Sequence, residues 1–165
     1  MLSELVLFRH GKAVRPLEAR DDFCRGLTPF GAAQASAQAL RLKAAGFLPD
    51  LALVSTALRA SQTWDACTTA FPKTPVEMSR ALYLASPANY LRALEQCMHS
   101  SAILIAHNPG LHDLARRLMK GDRGVEAGQT KLMEHLPTSG IAWFHADTGA
   151  HSGFKLKQFW APLPT

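Results

Sequence analysis

Ala102-Ile103-Leu104-Ile105-Ala106-His107-Asn108-Pro109-Gly110 runs from unbroken apolar sequence through a short polar turn into a helix-opening proline. A continuous apolar run of this length suits a strand buried on both faces. Pro109 then opens a predicted helix running to about Met119. The same grammar recurs toward the N-terminus. Leu5-Val6-Leu7-Phe8 is a second buried run, and a polar loop follows it through Arg20-Asp21-Asp22. Thr28-Pro29 supplies an N-cap and a first-turn proline for a helix from Phe30 to Ala45, which Gly46 ends. Leu51-Ala52-Leu53-Val54 follows the Pro49-Asp50 turn as another strand, and Ala57 to Phe71 reads as a helix stopped by Pro72.

A short strand is expected at Val76 to Met78. A helix from Pro87 to Met98 follows, with Leu91, Leu94 and Met98 on one stripe. Beyond the quoted stretch, Gly121 to Gly128 reads as a glycine-rich loop. Ile141 to His145 and Phe154 to Trp160 read as two strands joined by a turn at Asp147-Thr148-Gly149. Strands alternating with helices imply βαβ units and a largely parallel sheet covered on both faces. Such sheets bind ligands beyond the carboxyl ends of their strands. The 165 residues suit one domain, 1–165, with no repeat and no low-complexity linker.

Composition narrows the partners. Apolar residues make up 47% and charged residues 19%, which excludes disordered and fibrous classes. The net charge of +5 suits an anionic ligand, but the 18 Lys and Arg are scattered and form no stripe for nucleic acid. No run approaches the roughly 20 apolar residues of a membrane span, and the N-terminus lacks a signal pattern. Cys24, Cys67 and Cys97 offer neither a CxxC pair nor a disulfide framework. Reduced, mostly buried thiols and a cytoplasmic location are expected.

Three motifs fall where predicted strands end. Arg9-His10-Gly11 follows the first strand, Ser55-Thr56-Ala57-Leu58-Arg59 the second, and His107-Asn108-Pro109-Gly110 the one quoted above. A parallel sheet brings these loops to one edge, converging two histidines and two arginines. Arginine presents a planar fork of donors matched to phosphate oxygens. Neutral imidazole is a nucleophile able to form a covalent intermediate. Phosphoryl transfer needs mainly in-line positioning and charge compensation, which these residues supply without a metal or other cofactor.

Leu7-Phe8-Arg9-His10-Gly11, Ser55 through Thr63, and Ala106-His107-Asn108-Pro109-Gly110 resemble the three signatures of the histidine phosphatase superfamily. Arg25-Gly26-Leu27-Thr28-Pro29-Phe30-Gly31 and Thr138-Ser139-Gly140-Ile141-Ala142 are similar to two further segments of its SixA-type phosphohistidine phosphatases. The resemblance implies a phosphoglycerate mutase-like fold: a three-layer α/β/α sandwich around a mixed, mostly parallel sheet of about six strands. It further implies His10 as the phosphorylated nucleophile, with Arg9, Arg59 and Arg25 binding phosphate. His107 is implied as the second histidine contacting the phosphoryl group. Gly26 stands where the family usually has proline.

Mutases and broad phosphomonoesterases of this branch carry a carboxylic acid after the third strand to protonate an alkoxide leaving group. Here Ser79 to Ser86 contains none; Glu77, Asp21 and Asp22 are the nearby acids left as possible donors. Phosphohistidine has a better leaving group and needs less acid help. The expected activity is therefore hydrolysis of a phosphorylated protein, such as a histidine phosphotransfer domain, at an open site. A small phosphate ester is the alternative substrate, and a non-catalytic phosphate-binding module a third reading. His99, His112, His135, His145 and His151 show no metal-ligand spacing, and Trp64, Trp143 and Trp160 read as core or rim.

Overall fold

In the structure, a computed structural model describing residues 1–120, 127–147 and 153–164, the apolar runs form the centre of one six-stranded sheet. β1 (Glu4–Arg9), β2 (Leu51–Ser55), β3 (Val76–Ser79) and β4 (Ser101–Ala106) run parallel, and β5 (Ile141–Asp147) and β6 (Gly153–Trp160) complete the sheet antiparallel. The order is β3-β2-β4-β1-β5-β6, so the quoted run is β4, with β2 and β1 on its flanks. Every residue of β4 is buried, as its unbroken apolar sequence requires.

The period of two along each strand divides the core into two layers. Val6, Phe8, Ala52, Val54, Ile103 and Ile105 face α1 (Pro29–Ala44) and α2 (Leu58–Cys67) through Ala39, Leu42, Ala60 and Trp64. Leu5, Leu7, Leu51, Leu53 and Leu104 face α3 (Pro87–Glu95) and α4 (Gly110–Met119) through Tyr90, Leu94, Leu111 and Leu114. This is the three-layer α/β/α sandwich. The caps follow the sequence: the Thr28 hydroxyl accepts from Gly31 N at 3.0 Å, Ser86 caps α3, and Gly46 takes φ +91.

Several boundaries differ from the expectation. Helix α2 stops at Cys67, because Thr68 turns its hydroxyl onto the carbonyl of Asp65 and the chain tightens into turns reaching Phe71. Helix α3 stops at Glu95, which leaves Met98 off the stripe and 87% exposed while Leu94 is buried. A further helix, α5 (Ala127–Glu134), includes Gly128, which the sequence reading placed in a loop. Residues 121–126 and 148–152 lie outside the described residues, and with them Thr148 and Gly149 of the expected Asp147-Thr148-Gly149 turn and His151. Trp64 and Trp143 are core and Trp160 is partly buried; Cys67 and Cys97 are buried thiols and Cys24 a half-buried one. Among the described residues no helix is long and apolar enough to cross a membrane.

Helix α4 begins against the turn that precedes α3. A Cβ on Gly110 would stand 2.0 Å from the Ala85 carbonyl oxygen and 3.0 Å from the Tyr90 ring. Backbone cannot yield there without moving the helix start. Gly110→Ala is expected to lower stability by about 1–3 kcal/mol, the usual range for overpacking. Urea unfolding measures it, and an unchanged midpoint would contradict this packing.

Candidate active site

Parallel neighbours end together. β1 and β4 finish side by side, with Arg9 opposite Ala106, and β2 lies on the other side of β4 with Ser55 as its last residue. The loops after them deliver His10, Arg59 and His107 to one buried cluster, with exposures of 8%, 3% and 1%. The turn at Gly11 is pinned from several sides. A Cβ there would meet the Gly31 carbonyl oxygen at 2.7 Å, so glycine lets the loop lie on the first turn of α1. Gly11 N donates to Thr63 Oγ1, which donates in turn to the Arg59 carbonyl. From behind, Ser139 N donates to the carbonyls of Arg9 and His10.

Hydrogen bonds fix the state of His10. Arg59 Nε donates to His10 Nε2 at 3.1 Å, so Nε2 must carry a lone pair. Nδ1 therefore holds the proton and donates to the Gly11 carbonyl at 2.7 Å. The sequence alone left the choice of nitrogen open. The other end of the Arg59 fork grips Asp22: Nη1 donates to its backbone carbonyl at 2.7 Å and Nη2 to Oδ2 at 3.0 Å. Arg25 donates Nη1 to Asp22 Oδ1 at 3.0 Å and Nε to the Val14 carbonyl at 2.8 Å. Gly26, where proline is usual, lies beside the Gln62 amide, whose oxygen accepts from Leu27 N. Arg9 Nη1 donates to the Leu136 carbonyl, and its Nε is buried without a partner among the described residues.

These side chains line a pocket of about 430 Å³, with Lys12, Leu84 and Thr138 also on its wall. Burial, with the charges of Arg59 and Arg9 adding to it, pushes both His10 and His107 down to about 3. Both rings are thus neutral at pH 7. Asp22 is held far below the usual carboxylate range, first by the Tyr83 hydroxyl and then by Arg25 and Arg59. It is an ionised acceptor, not a store of acid protons. Asp21 is exposed and accepts from Cys24 N, while Glu77 sits on β3 in a separate groove lined by Leu51, Leu53 and Cys97. None of the three acids singled out in the sequence presents a carboxylic proton to the pocket.

Two residues without an expected role stand in the site. Tyr83 donates to Asp22 Oδ2 and lies edge-on to His107, and Ser55 Oγ is 2.7 Å from His107 Nε2. A hydroxyl in a strand-end motif is the signal that would have found Ser55. Tyr83 carries no local signal, because its partner is 61 residues away.

No family profile and no curated sequence matches the chain. Solved structures do. A protein described as the phosphohistidine phosphatase SixA from Agrobacterium tumefaciens is 29% identical, with 98% of this chain and 99% of that one covered and a TM-score of 0.84. The protein histidine phosphatase SixA complexed with tungstate is 25% identical over 96% and 97% of the two chains, with a TM-score of 0.76. Over nearly its whole length the chain is similar to these SixA phosphohistidine phosphatases. A SixA from Nakamurella multipartitia, 24% identical over 98% and 97% of the chains with a TM-score of 0.83, shares the fold. The sandwich is the phosphoglycerate mutase-like one.

The chain keeps two buried neutral imidazoles among arginines, which makes its stability depend on pH. In the unfolded chain both rings take a proton near 6.5, whereas in the folded protein they resist it down to about 3. The stabilisation is complete above 6.5 and is lost as pH falls toward 3, because only the unfolded state binds the protons. An NMR titration is expected to leave the ring signals of His10 and His107 unmoved from pH 7.5 to 5. A midpoint near 6.5 for either ring would contradict the site as described.

Proposed function

We propose that this phosphatase hydrolyses phosphohistidine on a protein substrate, through transient phosphorylation of His10 at Nε2. The observation that carries the reading is the state of His10. Its Nδ1–H is anchored on the Gly11 carbonyl, its Nε2 lone pair faces arginine, and among the described residues no carboxylic proton stands in the pocket.

In this reading Arg9, Arg25 and Arg59 take the non-bridging oxygens of the incoming phosphoryl group, with Arg9 Nε the buried donor still lacking an acceptor. The Arg59 Nε–H moves from the His10 lone pair to a phosphoryl oxygen, since a dianion outcompetes a neutral ring for it. The freed Nε2 then attacks phosphorus in line. The substrate P–N bond breaks and imidazole departs with the electron pair. The substrate's other ring nitrogen is basic near neutral pH and takes a proton from solvent before the bond breaks, so the ring departs as neutral imidazole without a carboxylic acid. Water next attacks phospho-His10, the Nε2–P bond breaks with its electron pair returning to Nε2, and both water protons leave with the phosphate, which passes one to solvent. His107 contacts the phosphoryl group in both steps.

Two comparisons support the reading. The similar structure from Agrobacterium tumefaciens is described as a phosphohistidine phosphatase. Another SixA was solved with tungstate, a tetrahedral oxyanion shaped like phosphate. A cytoplasmic enzyme fits three cysteines that are all unpaired.

Turnover of a phosphorylated histidine phosphotransfer protein beside a panel of sugar phosphates and nucleotides tests the substrate class. kcat/KM for the phosphoprotein should exceed that for the esters at least about a hundredfold, the lower end of what a missing acid is worth. Comparable rates on esters would assign a small-molecule phosphomonoesterase. Phosphate binding without hydrolysis of either would assign a binding module. Arg59→Ala should lower kcat about 10²–10³-fold, as loss of a buried oxyanion donor does. An unchanged kcat would remove Arg59 from the reaction.

A further inference from the structure

The second histidine is held by a residue to which the reaction gives no direct part. Ser55 is the last residue of β2 and fully buried, and its Oγ lies 2.7 Å from Nε2 of His107, itself 1% exposed. We infer that Ser55 is a positioning residue whose hydroxyl donates to His107 Nε2 and so fixes this ring as the Nδ1–H tautomer, leaving a neutral N–H donor for the phosphoryl group.

The direction of that hydrogen bond follows from what surrounds the hydroxyl. Ala57 N donates to Ser55 Oγ at 3.3 Å, which uses one of the oxygen's lone pairs. The hydroxyl hydrogen has one acceptor among the described hydrogen bonds, Nε2 of His107. Were Nε2 to carry the ring proton instead, the hydroxyl would be left with a hydrogen and no acceptor, out of reach of water. A buried donor of that kind is expensive to leave unmade.

The consequence falls on the other ring nitrogen. Burial and the nearby arginines keep His107 neutral, so it has one proton to place. With Nε2 accepting from Ser55, that proton resides on Nδ1, which is buried and unpartnered. The ring lies beside that of His10, with centroids 5.2 Å apart, and shares the pocket wall with it. A bare Nδ1 lone pair would repel a phosphoryl oxygen; an N–H meets it without adding a full charge to a site that already holds three arginines. Tyr83 packs edge-on against the ring at 5.5 Å, and the Tyr90 hydroxyl bonds to the His107 backbone. The ring's place is thus set by packing and its proton by Ser55. The same solution holds His10, where the Gly11 carbonyl chooses the tautomer.

This inference rests on the site being a phosphoryl pocket, but its first test does not need turnover. A long-range ¹H–¹⁵N spectrum of the unaltered protein labelled at histidine, at pH 7, should show His107 with a protonated Nδ1 and an unprotonated, hydrogen-bonded Nε2. A proton on Nε2 overturns the inference even if phosphohistidine is hydrolysed normally. The predicted tautomer in a protein that turns over no phosphohistidine would sink the proposed substrate and leave the inference standing. Ser55→Ala should then give a mixture of His107 tautomers and a kcat lower by about tenfold or more. Folded Ser55→Ala with the tautomer unchanged and kcat within about twofold overturns the positioning role. If that variant fails to fold, the spectrum of the unaltered protein decides.

Discussion

A buried guanidinium cannot rest against a protonated imidazole, and Arg59 Nε lies 3.1 Å from Nε2 of His10. That contact settles the charge of the ring, its tautomer and the direction its lone pair faces. Much of the surrounding structure serves to hold the pair. Thr63 ties the Arg59 carbonyl to Gly11, Gly11 O receives the His10 proton, and Asp22 balances the far end of the guanidinium. Asp22 is itself held ionised by Tyr83 and Arg25, so a carboxylate that was a candidate acid becomes the counter-ion of Arg25 and Arg59.

The sheet makes such a cluster possible. Four parallel strands finish at one edge, and the central three deliver the Arg9-His10 turn, Ser55 and His107. Close packing then removes slack. Gly11 lies on Gly31, and Gly110 on Ala85, at distances a side chain would forbid. These contacts link the loop after β1 to α1 and the loop after β4 to the turn before α3. The imidazoles are therefore placed by backbone, while in the proposed reaction only side-chain hydrogen bonds need to exchange when substrate arrives.

Most of this was legible in the sequence where the signal is local. Unbroken apolar runs marked β1, β2 and β4, because a strand covered on both faces is apolar along its middle, with Ser55 and Ser101 only at strand ends. Thr28-Pro29 marked the start of α1 as an N-cap with a first-turn proline, and the helix expected from Pro87 begins there. The residues that stayed hidden depend on partners far along the chain. Tyr83 meets Asp22 across 61 residues, and Ser55 meets His107 across 52. Helix α5 was missed since Ala127-Gly128-Gln129-Thr130 opens it with a glycine and no capping signal, and its one buried side chain, Leu132, gives no periodicity. Met98 was misplaced because an apolar residue at helical spacing looks the same whether or not the helix reaches it.

The account stands on His10 Nε2 as the atom that accepts the phosphoryl group. Its most direct test is a denaturing quench under alkaline conditions during turnover of a ³²P-labelled phosphohistidine protein, followed by mass-spectrometric location of the label. Label on Nε2 of His10, appearing and decaying with turnover, is the predicted result. Steady turnover with the label on any other residue of the enzyme would contradict the account.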